Sequence, residues 1–220
     1  MFESVIFDMD GVIIDSEPLH IQSEHIILKP FQLNLSDEEF HKYMGRTPRI
    51  LLEGIIRDYD LPTTADDLLP RHMQQLAKLY RKEGDAIPGA LEAIQQLSEK
   101  GIKLGLASSS DWLLINIVLD KFNIRPFFDA VTSGQDVKGI KPEPDIFLKT
   151  AHDLGVQPSQ CLVIEDSAAG VQSAKNAGMP CIGFKSPNSH NQNLGQADLV
   201  VDSLDGIGYI CLSKLYQKLF

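Results

Sequence analysis

The sequence predicts an α/β protein: a Rossmann-like parallel sheet with helices on both faces, plus an inserted all-helical cap. Three observations predict it. Short apolar runs recur along the chain and alternate with helical patterning, the rhythm from which parallel sheets are built. Several runs are apolar throughout and end abruptly at Gly, Ser or acidic residues, as strands buried on both faces do. Between the first run and the next, helical patterns appear with no convincing strand, and a connection of that length must be structured. The core is expected over residues 1–15 and 87–220, and the helical cap over 16–86.

Taken in order, Val5, Ile6 and Phe7 run directly into Asp8, Met9, Asp10 and Gly11. Alternate residues of a strand share a face, so Asp8 and Asp10 point the same way if the geometry persists. Gly11 allows a sharp turn beyond them. Ser16 suits an N-cap and Pro18 a first helical turn. Helical patterns follow over 19–28, 37–44, 49–59 and 65–82, punctuated by Pro30, Pro48 and Pro62. Ser36 and Glu39 have the spacing of a capping box. Pro88 and Gly89 open a helix to about 100 that Gly101 stops. Residues 102–107 form a strand ending in Ser108, Ser109 and Ser110, followed by a helix over 111–122 and a strand over 128–132. Lys141 lies in the next loop, before a helix that Gly155 ends. Residues 161–164 form a strand ending in Glu165 and Asp166. A helix over 167–177 and strands over 180–184 and 199–201 complete the order. The insert leaves and returns near the carboxyl edge of the sheet, which suits a lid hinged at 15–17 and 84–87.

Composition narrows the partners. The chain has 220 residues, 43% hydrophobic and 23% charged, enough to bury a core, and a formal charge of −10. That balance argues against nucleic acid and against an anionic membrane surface. It permits phosphate substrates, because a metal or a few basic residues can reverse the field in one cleft. Three widely separated cysteines read as reduced thiols. There is neither a signal-peptide pattern nor a run of about 18 apolar residues. The expectation is a cytoplasmic monomer or weak dimer. No Gly-x-Gly-x-x-Gly or P-loop pattern is present.

Chemistry gathers at the predicted strand ends: Asp8 and Asp10, Ser108, Lys141, and Glu165 with Asp166. Each has an ordinary reading alone. The first pair can be a solvated turn, Ser108 or Asp166 a helix cap, and Lys141 a loop lysine. Together they offer carboxylates for a hard cation, a hydroxyl and an ammonium at one sheet edge. That set can hold and attack a phosphoryl group.

Asp8-Met9-Asp10-Gly11-Val12, Ser108 after an apolar strand, Lys141 in Lys-Pro-Glu-Pro-Asp, and Glu165-Asp166-Ser167 resemble the four ordered motifs of the haloacid dehalogenase superfamily. The helical insert resembles that family's α-helical cap. The subgroup it is similar to holds β-phosphoglucomutase and small phosphatases of sugar and glycolate phosphates. The resemblance implies Asp8 as nucleophile and Asp10 as acid/base. It implies Ser108, Ser109 and Lys141 around the phosphoryl oxygens. It also implies Mg²⁺ held by Asp8, the Asp10 main chain and Asp166, with Glu165 as a further candidate. Asp10 separates the chain from the family's dehalogenases, which lack an acid there and need no metal.

The implied activity is hydrolysis of a small phosphorylated metabolite through an aspartyl-phosphate. A mutase is the alternative, because His20 matches a β-phosphoglucomutase histidine. Against it, Asp111 and Trp112 stand where the mutase holds a second phosphate, and an acid there would repel one. Arg46 and Arg49 are candidate substrate contacts in the cap. A purely binding module would be expected to lack Asp8 or Lys141.

Overall fold

The structure, a computed structural model, describes residues 2–40, 42, 43, 47–188 and 192–219. It divides into two compact units, Met1–Ser16 with Asp85–Phe220, and Glu17–Gly84.

The larger unit is a six-stranded, wholly parallel sheet in the order β3-β2-β1-β4-β5-β6. Its strands are β1 (Ser4–Phe7), β2 (Lys103–Ser108), β3 (Ala130–Ser133), β4 (Cys161–Glu165), β5 (Cys181–Phe184) and β6 (Leu199–Val201). β1 lies in the middle, paired with β2 and β4, and all four of its residues are buried. The helices of this unit are α5 (Ala90–Glu99), α6 (Trp112–Lys121), α7 (Asp145–Leu154), α8 (Ala168–Asn176) and α9 (Tyr209–Leu219). Gly105 of β2 pairs in register with Ile6. A Cβ at Gly105 would come within 2.6 Å of the Thr150 methyl of α7, so the missing side chain lets helix and sheet close up there. Ile6, Phe147, Ala151, Val163 and Val171 fill that side of the core. On the opposite side Phe7 meets Phe128 edge-on.

The smaller unit holds α1 (Glu17–Leu28), α2 (Asp37–Phe40), α3 (Pro48–Asp58) and α4 (Ala65–Glu83), with no strand among its described residues. Ser36 and Glu39 form the expected reciprocal cap, Ser36 N–H to Glu39 Oε2 at 2.8 Å and Glu39 N–H to Ser36 Oγ at 3.4 Å. Thr64 and Asp67 do the same at the head of α4. Ile27, Leu28, Phe40, Leu52, Ile55 and Leu68 form its apolar core. Polar groups are buried as well. Ser23 Oγ lies 3.0 Å from His72 Nδ1. Burial, assisted by the neighbouring His20, lowers the His72 imidazole to about 3. Burial and the nearby Glu17 charge raise the Glu24 carboxyl to about 8.

The units part at Glu17 and Gly84, slightly inside the expected 16–86. Asp85 and Ala86 stay with the sheet unit for a hydrogen-bonding reason. Asp15 N–H donates to Asp85 C=O, Ile87 N–H donates to Ile13 C=O, and Ile14 and Ala86 form an antiparallel bridge. α9 is an element the local pattern does not announce. It is tied by distant contacts, Phe2 against the rings of Tyr209 and Tyr216 and the Tyr216 hydroxyl donating to Ser159 C=O.

Candidate active site

Register assembles the site. Phe7 pairs with Leu106 of β2 and Ile164 of β4, and Asp8 N–H donates to Ile164 C=O at 3.0 Å. One step further along these strands, Asp8, Ala107 and Glu165 are level, with Ser108 and Asp166 next. Beyond Asp8 the chain winds into a tight turn in which Ile13 and Ile14 N–H donate to Met9 C=O. Gly11 is in the left-handed region at φ +75°, and a Cβ there would collide with the Asp166 carboxylate. Glycine thus serves both the turn and the close approach.

Lys141 ties the edge together. Its Nζ donates to Asp8 Oδ1 at 2.6 Å, to Glu165 Oε1 at 2.8 Å and to Ala107 C=O at 3.4 Å. The ammonium also sits 5.0 Å from the centre of the Phe147 ring, a cation–π distance. Burial by itself would lower its pKa; the Asp8 and Glu165 charges outweigh that and hold it above the usual lysine range. Asp8 is 6% exposed. Burial raises its carboxyl to about 8, with Glu165 and Asp10 adding to the rise and Lys141 opposing it. Asp166 is likewise raised well above the ordinary range by burial and by the charges of Glu165 and Asp8.

The two acids after β4 differ in employment. Glu165 gives one oxygen to Lys141 and the other to Ser167, whose N–H and Oγ donate at 2.7 and 3.0 Å. Gly170 supplies the space, since a Cβ there would overlap the Glu165 carboxylate. Among the described residues the Asp166 carboxylate accepts no hydrogen bond. Ser167, not Asp166, caps α8, accepting from Gly170 N–H at 3.0 Å.

Ser108 Oγ lies 3.4 Å from Asp10 Oδ2, and Ser110 Oγ donates to the same oxygen at 2.7 Å. Ser108 does not cap α6; Asp111 occupies the cap position, with no side-chain cap bond. The Ser109 side chain is exposed. The predicted Asp8, Asp10, Ser108, Lys141, Glu165 and Asp166 therefore share one edge. His20 and Arg49 belong to the helical unit. His20 Nε2 lies 3.1 Å from Tyr80 Oη, and exposed Arg49 pairs with Asp66 at 2.7 Å. Arg46 lies outside the described residues.

Sequence reading overlooked Ser110, Phe147, Ser167 and Gly170. Ser110 and Ser167 stood inside the motifs already noted, and only the folded geometry reveals what they hold.

The donor set suits a hard divalent cation. Asp8 and Asp166 present carboxylate oxygens at one desolvated edge, with Lys141 the cation opposing the negative charge among the described residues. No three His, Cys, Asp or Glu side chains among the described residues form a ready ligand cluster.

Residues 5–184 match the family model described as haloacid dehalogenase-like hydrolase. The chain is 34% identical over 188 residues to the Arabidopsis thaliana protein SUPPRESSOR OF QUENCHING 1, chloroplastic, covering 83% of this chain and 18% of that one. It is 31% identical over 204 residues to hexitol phosphatase B of Escherichia coli strain K12, covering 91% and 92%. The crystal structure of β-phosphoglucomutase from Clostridium difficile matches with a TM-score of 0.82 at 27% identity, covering 100% of this chain and 99% of that one. No helix among the described residues is long and apolar enough to cross a membrane.

Proposed function

The chain belongs to the haloacid dehalogenase-like hydrolase family, and on that premise we propose that it is a phosphatase. It hydrolyses a small phosphate monoester, a sugar phosphate or a chemically similar metabolite, through a phosphorylated Asp8. The observation that carries the reading is the buried Lys141 ammonium bridging Asp8 and Glu165 at 2.6 and 2.8 Å, beside Asp10 and Ser108. Similarity to hexitol phosphatase B supports the substrate class.

Lys141 engages Oδ1 of Asp8 and leaves Oδ2 to attack phosphorus. As the new Asp8–phosphorus bond forms, the ester P–O bond breaks and the leaving oxygen takes a proton from Asp10. A water then attacks the phosphorylated Asp8, Asp10 takes the water's proton, and the Asp8 carboxylate departs as phosphate is released. Lys141 and the Ser108 hydroxyl stabilise the equatorial oxygens, where alignment and charge do most of the work. Mg²⁺ on Asp8, Asp166 and the Asp10 main chain would supply charge neutralisation and favour the ionised form of Asp8. The helical unit, inserted between β1 and β2, is proposed as the cap that selects among phosphate esters.

Asp111 at the head of α6 sets this reading above a phosphosugar mutase, because an acid there would repel a second phosphate. The test is phosphate release from sugar, nucleotide and small organic phosphates, with and without Mg²⁺. β-Glucose-1-phosphate with a trace of its 1,6-bisphosphate is followed for isomerisation. Metal-dependent release that Asp8→Asn abolishes is expected. Isomerisation with little release would replace the reading with the mutase, and turnover by Asp8→Asn near the wild-type rate would remove the nucleophile.

A further inference from the structure

We propose that Ser110 is a positioning residue: its hydroxyl, 2.7 Å from Asp10 Oδ2, holds the Asp10 carboxyl in the orientation from which it serves the ester oxygen of the bound phosphate. The inference deepens the phosphatase reading and rests on it. Asp10 needs such a partner. Its main chain is set by the turn after β1, where Gly11 N–H donates to Ile14 C=O and Asp10 bridges Ile14. A fixed main chain still leaves the side-chain torsions to choose among staggered states. Proton transfer works only from an aligned carboxyl, and a misplacement of about 1 Å is worth on the order of a hundredfold in rate.

Ser110 is the shorter of the two hydroxyl contacts to Asp10 Oδ2, at 2.7 Å against 3.4 Å for Ser108. Both contacts fall on the same carboxyl oxygen, so Oδ2 is the tethered one. Ser110 is itself immobilised. Its N–H donates to Ser108 Oγ at 3.0 Å, and its carbonyl accepts from Ser133 Oγ at 2.7 Å. The neighbouring Ser109 carbonyl lies so close to Gly134 that a Cβ there would come within 2.8 Å of it. The loop beneath is locked in turn. Ser133 N–H donates to Asp136 Oδ2 at 2.9 Å, and Trp112 Nε1–H donates to Asp136 Oδ1 at 3.0 Å. The end of β3 thus serves as a platform under the β2–α6 turn, and the turn presents one hydroxyl to Asp10. This arrangement also divides labour between the serines. Ser108, with its long contact to Asp10, remains the hydroxyl for the phosphoryl oxygens.

The experiment compares kcat/KM for an alkyl sugar phosphate and for p-nitrophenyl phosphate in wild type, Ser110→Ala, Ser110→Thr and Asp10→Asn. kcat/KM reports the steps through loss of the leaving group, and nitrophenolate departs without needing a proton. Ser110→Ala is expected to lose about tenfold on the alkyl ester, the upper worth of one ordinary hydrogen bond. It should stay within about twofold of wild type on p-nitrophenyl phosphate. Ser110→Thr, which keeps the hydroxyl, should recover most of the alkyl rate. Equal losses on both substrates would mean direct substrate binding or general disturbance and would overturn the proposal. Wild-type rates in Ser110→Ala would do so as well. Asp10→Asn separates the two levels: if it fails to discriminate between the esters, the acid role falls and this inference with it. If Asp10→Asn discriminates and Ser110→Ala does not, the phosphatase reading stands and only the positioning role is lost.

Discussion

Glu24 offers a test of the electrostatics that does not depend on knowing the substrate. It lies on α1, is 4% exposed, and accepts no hydrogen bond from the described residues. Burial, reinforced by the Glu17 charge, moves its carboxyl from 4.5 to about 8. The folded chain therefore holds a proton that the unfolded chain releases. The stability linked to that proton is complete below about pH 4.5 and drains away as pH rises toward about 8. Inside that window each pH unit removes about 1.4 kcal/mol. Going from about pH 5.5 to about pH 7.5 therefore costs roughly 3 kcal/mol through this one group. Glu24→Gln keeps the shape and cannot ionise. Urea unfolding at several pH values, followed by far-UV circular dichroism for the helices and by Trp112 fluorescence for the sheet unit, measures the slope. The variant is expected to lose less stability than wild type over the same interval. Parallel pH profiles for the two proteins would refute the reasoning, because they would mean that Glu24 is ionised in the folded chain.

His72 predicts the opposite limb: its imidazole is lowered to about 3, so stability should fall as pH drops below about 6.5 by about 1.4 kcal/mol per unit. His72→Leu should flatten that limb in acid denaturation; an unchanged limb would count against a buried neutral imidazole. Lys141→Met leaves Asp8 and Glu165 buried without their shared cation. It should destabilise the chain by about 3–5 kcal/mol in urea unfolding and abolish Mg²⁺-dependent phosphate release, and a variant that keeps wild-type turnover would refute the phosphoryl-binding role. Gly170→Ala drives a methyl into the Glu165 carboxylate. A loss of about 1–3 kcal/mol is expected from overpacking, with slower turnover as Glu165 is displaced from Lys141; stability equal to wild type would show that the carboxylate has room to move.

Much of this was legible in the sequence because it follows from chain direction. An apolar run ending in Asp8-x-Asp10 fixes where a strand ends, and parallel strands put all such ends on one edge. Asp8, Ser108 and Glu165–Asp166 are consecutive strand ends in a sheet ordered β2-β1-β4, so their meeting follows once alternation is recognised. What side chains do after they meet was less legible. Three successive serines gave no means of knowing that Ser110 reaches Asp10 at 2.7 Å while Ser109 faces solvent. That depends on the turn after β2 and on the platform after β3, which are set by contacts across twenty or more residues. Glu24 sits in an ordinary-looking helical stretch, and only tertiary burial makes its acid unusual. α9 was missed for the same reason, since its anchors are Phe2 and the Ser159 carbonyl.

The charge balance of the site links these levels. Asp8, Asp10, Glu165 and Asp166 meet at one edge with Lys141 as the only cation bonded to them among the described residues. Two of the four are desolvated enough to be pushed toward the neutral form. On the proposed reading a protonated Asp8 would be a poor nucleophile, and an ionised cluster would repel a phosphate dianion. Lys141 alone does not resolve the conflict, because its charge is already shared between Asp8 and Glu165. A divalent cation at Asp8 and Asp166 answers both difficulties at once: it favours ionised Asp8 and turns the edge attractive to phosphate. On the proposed reading, metal binding should therefore release protons near neutral pH and strengthen as pH rises. Calorimetric titration of Mg²⁺ in buffers of different ionisation enthalpy measures that release directly, and binding without any proton release would show that the carboxylates are already ionised and that Lys141 suffices.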